Sequence, residues 1–204
     1  MFNGQILQDK YVLSMLNYKR NGFFIEIGSN DPIKINNTYI LEKYYNWKGI
    51  MIEYDEKWLE SYKIHRQNSI HIINDARNIN YKSLFNYNNV PLNIDYLQID
   101  LEVENNSTIE LLKKLDNEIF DNYKFATITF EHDVYRDKND TQRLSREIFA
   151  RRGYISVLNN VSNDYSPFED WYIHPELVDM NIVKLFKDKN ANNNNLIEYT
   201  DIKF

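Results

Sequence analysis

Acidic residues close a series of short apolar runs in this 204-residue chain. Phe23-Phe24-Ile25-Glu26-Ile27 leads into Gly28-Ser29-Asn30-Asp31-Pro32, and Gly49-Ile50-Met51-Ile52 ends on Glu53. Ile94-Asp95-Tyr96-Leu97-Gln98-Ile99 ends on Asp100, and residues 125–130 end on Glu131-His132-Asp133. A fifth acid, Asp75, lies just past residues 69–73. Runs that are apolar on both faces read as buried parallel strands. Ligands of open α/β sheets bind beyond the carboxyl ends of such strands. One acid there could merely cap a helix. A whole row would repel itself in a partly desolvated cleft, which suits a site for hydroxyls, amines or a cation better than it suits stability.

Glu53 follows Gly28 at about the spacing where the dinucleotide fold places a ribose-binding acid, and a carboxylate can accept from both ribose hydroxyls. The loop after Gly28 lacks the further glycines of G-x-G-x-x-G, and no G-x-x-x-x-G-K-[ST] occurs, so NAD and P-loop nucleotides are disfavoured. An adenosine cofactor without phosphates fits better, and S-adenosylmethionine is the common one.

The elements that must position these acids alternate between strand and helix. Residues 5–18 read as an amphipathic helix. Asn37 or Thr38 could cap a helix through Tyr45, and Asp55 one over residues 56–66. The segment around Leu84 and Phe85 is poorly defined. Residues 108–119 and 141–152 carry helical spacing, the second closed by Gly153. Residues 154–158 open a last β region, 170–174 are its antiparallel partner, and 159–169 form a loop around Ser166-Pro167. Asn-rich residues 190–195 read as a turn, and 190–204 as a flexible tail. This pattern predicts one domain over residues 1–204: an α/β, doubly wound sheet with helices on both faces.

A net charge of -6 argues against nucleic acid as a partner. Cysteine is absent, which excludes disulfides, cysteine–zinc sites and thiol nucleophiles. No run is long and apolar enough for a membrane span, and Met1 to Lys10 lacks the pattern of a signal peptide. A cytoplasmic protein is expected, and 16 tyrosines make a homodimer plausible.

Gln8-Asp9-Lys10, Phe24-Ile25-Glu26-Ile27-Gly28-Ser29-Asn30-Asp31, residues 37–43 with 47–53, Asp95-Tyr96-Leu97-Gln98-Ile99-Asp100-Leu101-Glu102 and Arg152-Gly153-Tyr154 together resemble the FkbM-type methyltransferases, class I enzymes that use S-adenosylmethionine. The likeness spans residues 8–174. It implies a Rossmann-like, mostly parallel seven-stranded sheet with an antiparallel last strand. It also implies that Glu26, Gly28, Ser29 and Asn30 hold the methionine end of the cofactor, that Glu53 binds the ribose, and that Asp75 and Ala76 meet the adenine; Tyr54 and Asp100 are further expected cofactor contacts. The family methylates hydroxyls, often of sugars. Pro32 stands where glycine is usual, and Tyr54-Asp55 replaces the usual Pro-Asn.

Methyl transfer to a hydroxyl needs alignment and a proton acceptor. His132, between Glu131 and Asp133, is the expected base, against a plain loop histidine. Asp100 and Glu131, with Asp133, could gather around Mg²⁺ or orient the acceptor. Trp171 and His174 could face the acceptor, although Trp171 is more simply a packing residue. One of Arg143, Arg146, Arg151 and Arg152 would gain a role if the acceptor were anionic. The rival readings are a binding or assembly module that keeps the fold without catalysis, and methylation of a non-carbohydrate molecule.

Overall fold

A computed structural model describes residues 2–138, 140–163 and 166–190 of the chain. Seven strands form one sheet: β1 (Phe23–Ile27), β2 (Lys48–Glu53), β3 (Ser69–Ile73), β4 (Asn93–Ile99), β5 (Lys124–Glu131), β6 (Ile155–Asn163) and β7 (Ser166–Ile173). Their order is β3-β2-β1-β4-β5-β7-β6. β7 is antiparallel to both of its neighbours, and the other pairings are parallel. The last of the described strands, β7, therefore lies inside the sheet.

Alternation along the strands divides the core in two. Ile25, Ile27, Leu97, Ile99, Ile128 and Phe130 face α4 (Tyr81–Tyr87), α5 (Ser107–Glu118) and α6 (Thr141–Arg151). Phe24, Met51, Tyr96, Trp171 and Ile173 face α1 (Gln8–Met15), α2 (Tyr39–Tyr45), α3 (Leu59–His65) and α7 (Met180–Asn190). The helical pattern around Leu84 and Phe85 is α4, started by Asn80, whose side chain accepts the Ser83 amide at 2.8 Å.

Three expectations change. α1 is half the length expected and is buried on every side rather than on one face. Tyr11 explains this: its ring lies 4.5 Å from Trp171 of the sheet and 5.8 Å from Phe186 of α7, so α1 is a middle layer. α7, absent from the sequence reading, is what covers it. Residues 159–169 are mostly strand rather than loop, and β6 meets β7 through register shifts between Ser156 and Ser162, which hide its periodicity. The tail expected at 190–204 lies beyond the described residues after Asn190.

Candidate active site

The loop after β1 is built around a buried guanidinium. Arg66, at the end of α3 and fully buried, donates to Glu42 at 2.8 Å, Asn36 Oδ1 at 2.9 Å, Thr38 Oγ1 at 2.6 Å and the Pro32 carbonyl at 3.3 Å. Its Nη1 lies 3.8 Å from Glu26. Pro32 thus has a defined place: its carbonyl is one of the loop's anchors. Thr38 precedes α2 without capping it, because its hydroxyl donates to Glu26 Oε2 at 2.9 Å. Burial pushes the Glu26 carboxyl up to about 7, even though Arg66, Thr38 and Asn36 favour its charged form.

Gly28 turns the chain at φ +82°, and a Cβ there would stand 1.8 Å from the Asp100 carbonyl. Only glycine lets the loop pass this close to the end of β4. Ser29 Oγ lies 3.0 Å from Tyr62 Oη, and the Asn30 amide donates to Glu53 Oε2 at 2.7 Å. Glu53 Oε1 accepts the Tyr54 and Asp55 amides, each at 2.9 Å. Three backbone donors leave this carboxylate room for one further hydrogen bond, not the two expected for a paired ribose grip.

Three cavities follow the carboxyl ends of β2, β3, β1, β4 and β5. One of about 350 Å³ beside Gly28 is lined by Glu26, Ser29, Asn30, Asn37, Gln98 and Asp100, among others. A second of about 350 Å³ is walled by Ile52, Tyr54, Asp75, Ala76, Leu101 and Ser107. Asp75 is committed to Arg77, which donates to it at 2.8 and 3.1 Å and holds its carboxyl below the usual range. A third, of about 370 Å³, is lined by Asp100, Glu131, Asp133, Tyr135, Arg136 and Ser166. Gln5 reaches both the first and the third. A larger cavity, about 520 Å³, opens at the amino ends of the strands between Gly22, Lys48, Asn93 and Asp95, away from the acids at the carboxyl ends.

Asp100 and Glu131 form a hydrogen-bonded acid pair. Burial, reinforced by the Asp100 and Asp133 charges, drives the Glu131 carboxyl far above its ordinary range. Glu131 therefore keeps its proton and donates it toward Asp100, the carboxylate of the pair. Asp133, at φ +41°, is bound by Arg136 Nε at 2.7 Å.

His132 is not with them. Its ring is fully buried, with Nδ1 accepting the Val134 amide at 3.2 Å and Nε2 3.4 Å from Asp170 Oδ1. Burial would raise Asp170, but hydrogen bonds from His132 and Arg146 hold it down to about 2. Sequence adjacency misleads here because successive residues at a strand end point to opposite sides. His174 is also misplaced: its amide bonds the Ala126 carbonyl near the amino end of β5, the edge opposite the acids. Trp171 is fully buried and donates to Glu169 at 2.8 Å, a packing residue. Arg143, Arg146, Arg151 and Arg152 are all held by carboxylates outside these cavities. Among the described residues no group of three His, Cys, Asp or Glu side chains is placed to hold a metal ion.

Sequence reasoning gave no site role to Gln5, Asn37, Arg66, Gln98 or Glu169, and named Asn37 only as a helix cap. Glu169 is buried beside Gln8, Trp171 and Thr129, and burial pushes it up to about 8.

Solved structures share this architecture. A TehB-like SAM-dependent methyltransferase from Corynebacterium glutamicum matches with a TM-score of 0.52 and 11% identity, over 82% of this chain and 87% of that one. Magnesium protoporphyrin IX methyltransferase from Synechocystis, with bound SAM, matches at 0.55 and 9%, over 81% and 76%. The 1,6-didemethyltoxoflavin-N1-methyltransferase from Burkholderia thailandensis, with bound S-adenosylhomocysteine, matches at 0.51 and 9%, over 81% and 74%. The chain has the Rossmann-like methyltransferase fold. No protein-family model matches the sequence, and no curated protein is significantly similar to it.

The residues present suit the cofactor of that fold. The loop that lines the cavity beside Gly28 could not pass so close to Asp100 with a side chain at that position, the cavity is rich in acceptors for an ammonium group, and a carboxylate with one open lone pair stands at the next strand end.

Proposed function

We propose that the protein is an S-adenosylmethionine-dependent O-methyltransferase acting on a neutral hydroxyl acceptor, a sugar or similar polyol. The observation that carries this reading is Asp100, which lines both the cavity beside Gly28 and the acidic cavity beyond β4 and β5. A base at that junction meets the cofactor on one side and the acceptor on the other. S-adenosylmethionine, when bound, supplies a methyl group already activated on a sulfonium sulfur.

The residues then divide the work. Glu26, Ser29 and Asn30 hold the amino-acid end across Gly28, Glu53 takes one ribose hydroxyl, and Tyr54 and Ala76 wall the adenine side, where Asp75 acts through its pairing with Arg77. Asp100 accepts the proton that the acceptor hydroxyl loses, and the Glu131 hydroxyl holds the Asp100 carboxylate in place. Asp133 and Arg136 fix each other at the cavity wall. Tyr135, 58% exposed, offers a ring face to a sugar. Glu102 and Glu104 lie within 4 Å of Arg136, so that cation is neutralised and the cavity disfavours an anionic acceptor.

Of the motif residues that resemble FkbM-type enzymes, Glu26, Gly28, Ser29, Asn30, Gln98 and Asp100 line the cavity beside Gly28, which is consistent with membership of that family. The cysteine-free chain is consistent with a cytoplasmic setting. Calorimetry with S-adenosylhomocysteine should give micromolar binding, and none at high micromolar ligand would sink the reading. Asp100→Asn should keep that affinity while methyl transfer from S-adenosylmethionine to a panel of neutral sugars falls by about 100-fold or more.

A further inference from the structure

Two side-chain atoms among the described residues are buried and have no hydrogen-bond partner: Gln98 Oε1 and Asn37 Oδ1. Both residues line the same cavity, the one beside Gly28. They reach it from separate elements. Gln98 lies inside β4, in register with Glu26 of β1 and Thr129 of β5, so it shares their face of the sheet. Asn37 precedes α2 in the loop that Arg66 anchors.

The neighbours in this row are satisfied. Glu26 accepts from Thr38 and Asn36, and Thr129 Oγ1 lies 2.6 Å from Tyr96 Oη. Gln98 is 2% exposed and Asn37 7%, yet each holds an amide oxygen with no donor. Burying such a group costs free energy that an apolar residue would save. The two amides therefore point to a ligand that brings its own donors. An amide presents an acceptor and two donor hydrogens about a terminal torsion with little preference. Beside the Glu26 carboxylate, two such groups match an α-amino acid: its ammonium meets the oxygens and its carboxylate meets the N–H groups.

We propose that Gln98 and Asn37 recognise the amino-acid end of the cofactor. This inference rests on the methyltransferase reading above and names the residues that discriminate within it. The test compares two ligands by calorimetry: S-adenosylhomocysteine, and 5′-methylthioadenosine, which keeps the nucleoside and lacks the amino acid. Wild type should bind the first more tightly. Gln98→Met should weaken S-adenosylhomocysteine by at least about tenfold, the loss of one hydrogen bond to a charged group, and leave 5′-methylthioadenosine within about twofold. Its Tm should hold or rise, because an unpartnered buried amide has been removed. Asn37→Ala should show the same selectivity, and it decides the matter should Gln98→Met fail to fold. Equal affinities for the two ligands in wild type, or variants that weaken both or neither, overturn the inference. Wild type that binds neither ligand overturns the methyltransferase reading itself.

Discussion

His132 and Asp100 differ in what their neighbours leave free. Both ring nitrogens of His132 face protein groups, and its partner Asp170 is shared with Arg146 at 2.7 and 3.0 Å. His132→Ala should therefore act on stability: removing one member of this buried set should cost about 3–5 kcal/mol, read as a lower Tm. The folded fraction should keep its turnover. A variant that stays stable and loses turnover would return His132 to the base role. Asp100, in contrast, opens on two cavities and carries the anion of a shared-proton pair. If it is the base, kcat should rise with pH on a limb above the ordinary carboxylate range, and Glu131→Gln should shift that limb. The acids were legible in the sequence because each one ends an apolar run. The meeting of Asp100 and Glu131 at adjacent strand ends was legible as well, but the turn of His132 away from them was not, since it depends on side-chain direction at the strand end.

At the level of elements, the loop after β1 depends on α3. Arg66 draws Pro32, Asn36, Thr38, Glu26 and Glu42 around one buried cation, 5.6 Å over the Phe24 ring. Arg66→Met would leave Glu26 and Glu42 without that charge, and we expect it to cost about 3–5 kcal/mol. Titration of the folded variant should show weaker S-adenosylhomocysteine binding, because the loop loses its anchor. Retained affinity would make the network purely structural. Gly28→Ala is a sharper test of the loop, since the methyl group meets backbone rather than a movable side chain. β1 to β5 and α2, α3, α5 and α6 could be read from local pattern. Arg66 could not, because its five partners lie 24 to 40 positions earlier and nothing local in the sequence marks a buried arginine.

Across the whole molecule, several carboxyls are buried with pKa values well above those of an unfolded chain: Glu26 near 7 and Glu169 near 8. A raised acid favours the folded state while protonated. Its contribution is complete below about pH 4 and disappears as pH rises through the folded value. Asp170, held near 2, works in the opposite sense, and its contribution is lost only as pH falls through that value. Between pH 5.5 and 8 the raised acids govern, so Tm should climb as pH falls across this window. Glu169→Gln, which can still accept from Gln8 and Trp171, should flatten the profile and raise Tm at pH 8. A Tm that falls on going from pH 8 to 5.5 would show that these acids are not protonated in the fold. Composition, apolar runs ending on acids, and the glycine after β1 were enough by themselves to specify an α/β sheet with acids and a tight turn at its carboxyl edge, because buried parallel strands and tight turns leave local marks. Tertiary structure alone decided that α7 encloses α1, that His132 and His174 stand apart from the acids, that Arg66 gathers the loop after β1, and that Gln98 lines a cavity with Asp100. Those outcomes depend on side-chain direction at strand ends and on desolvation by distant elements, and neither is encoded in any short stretch of the chain.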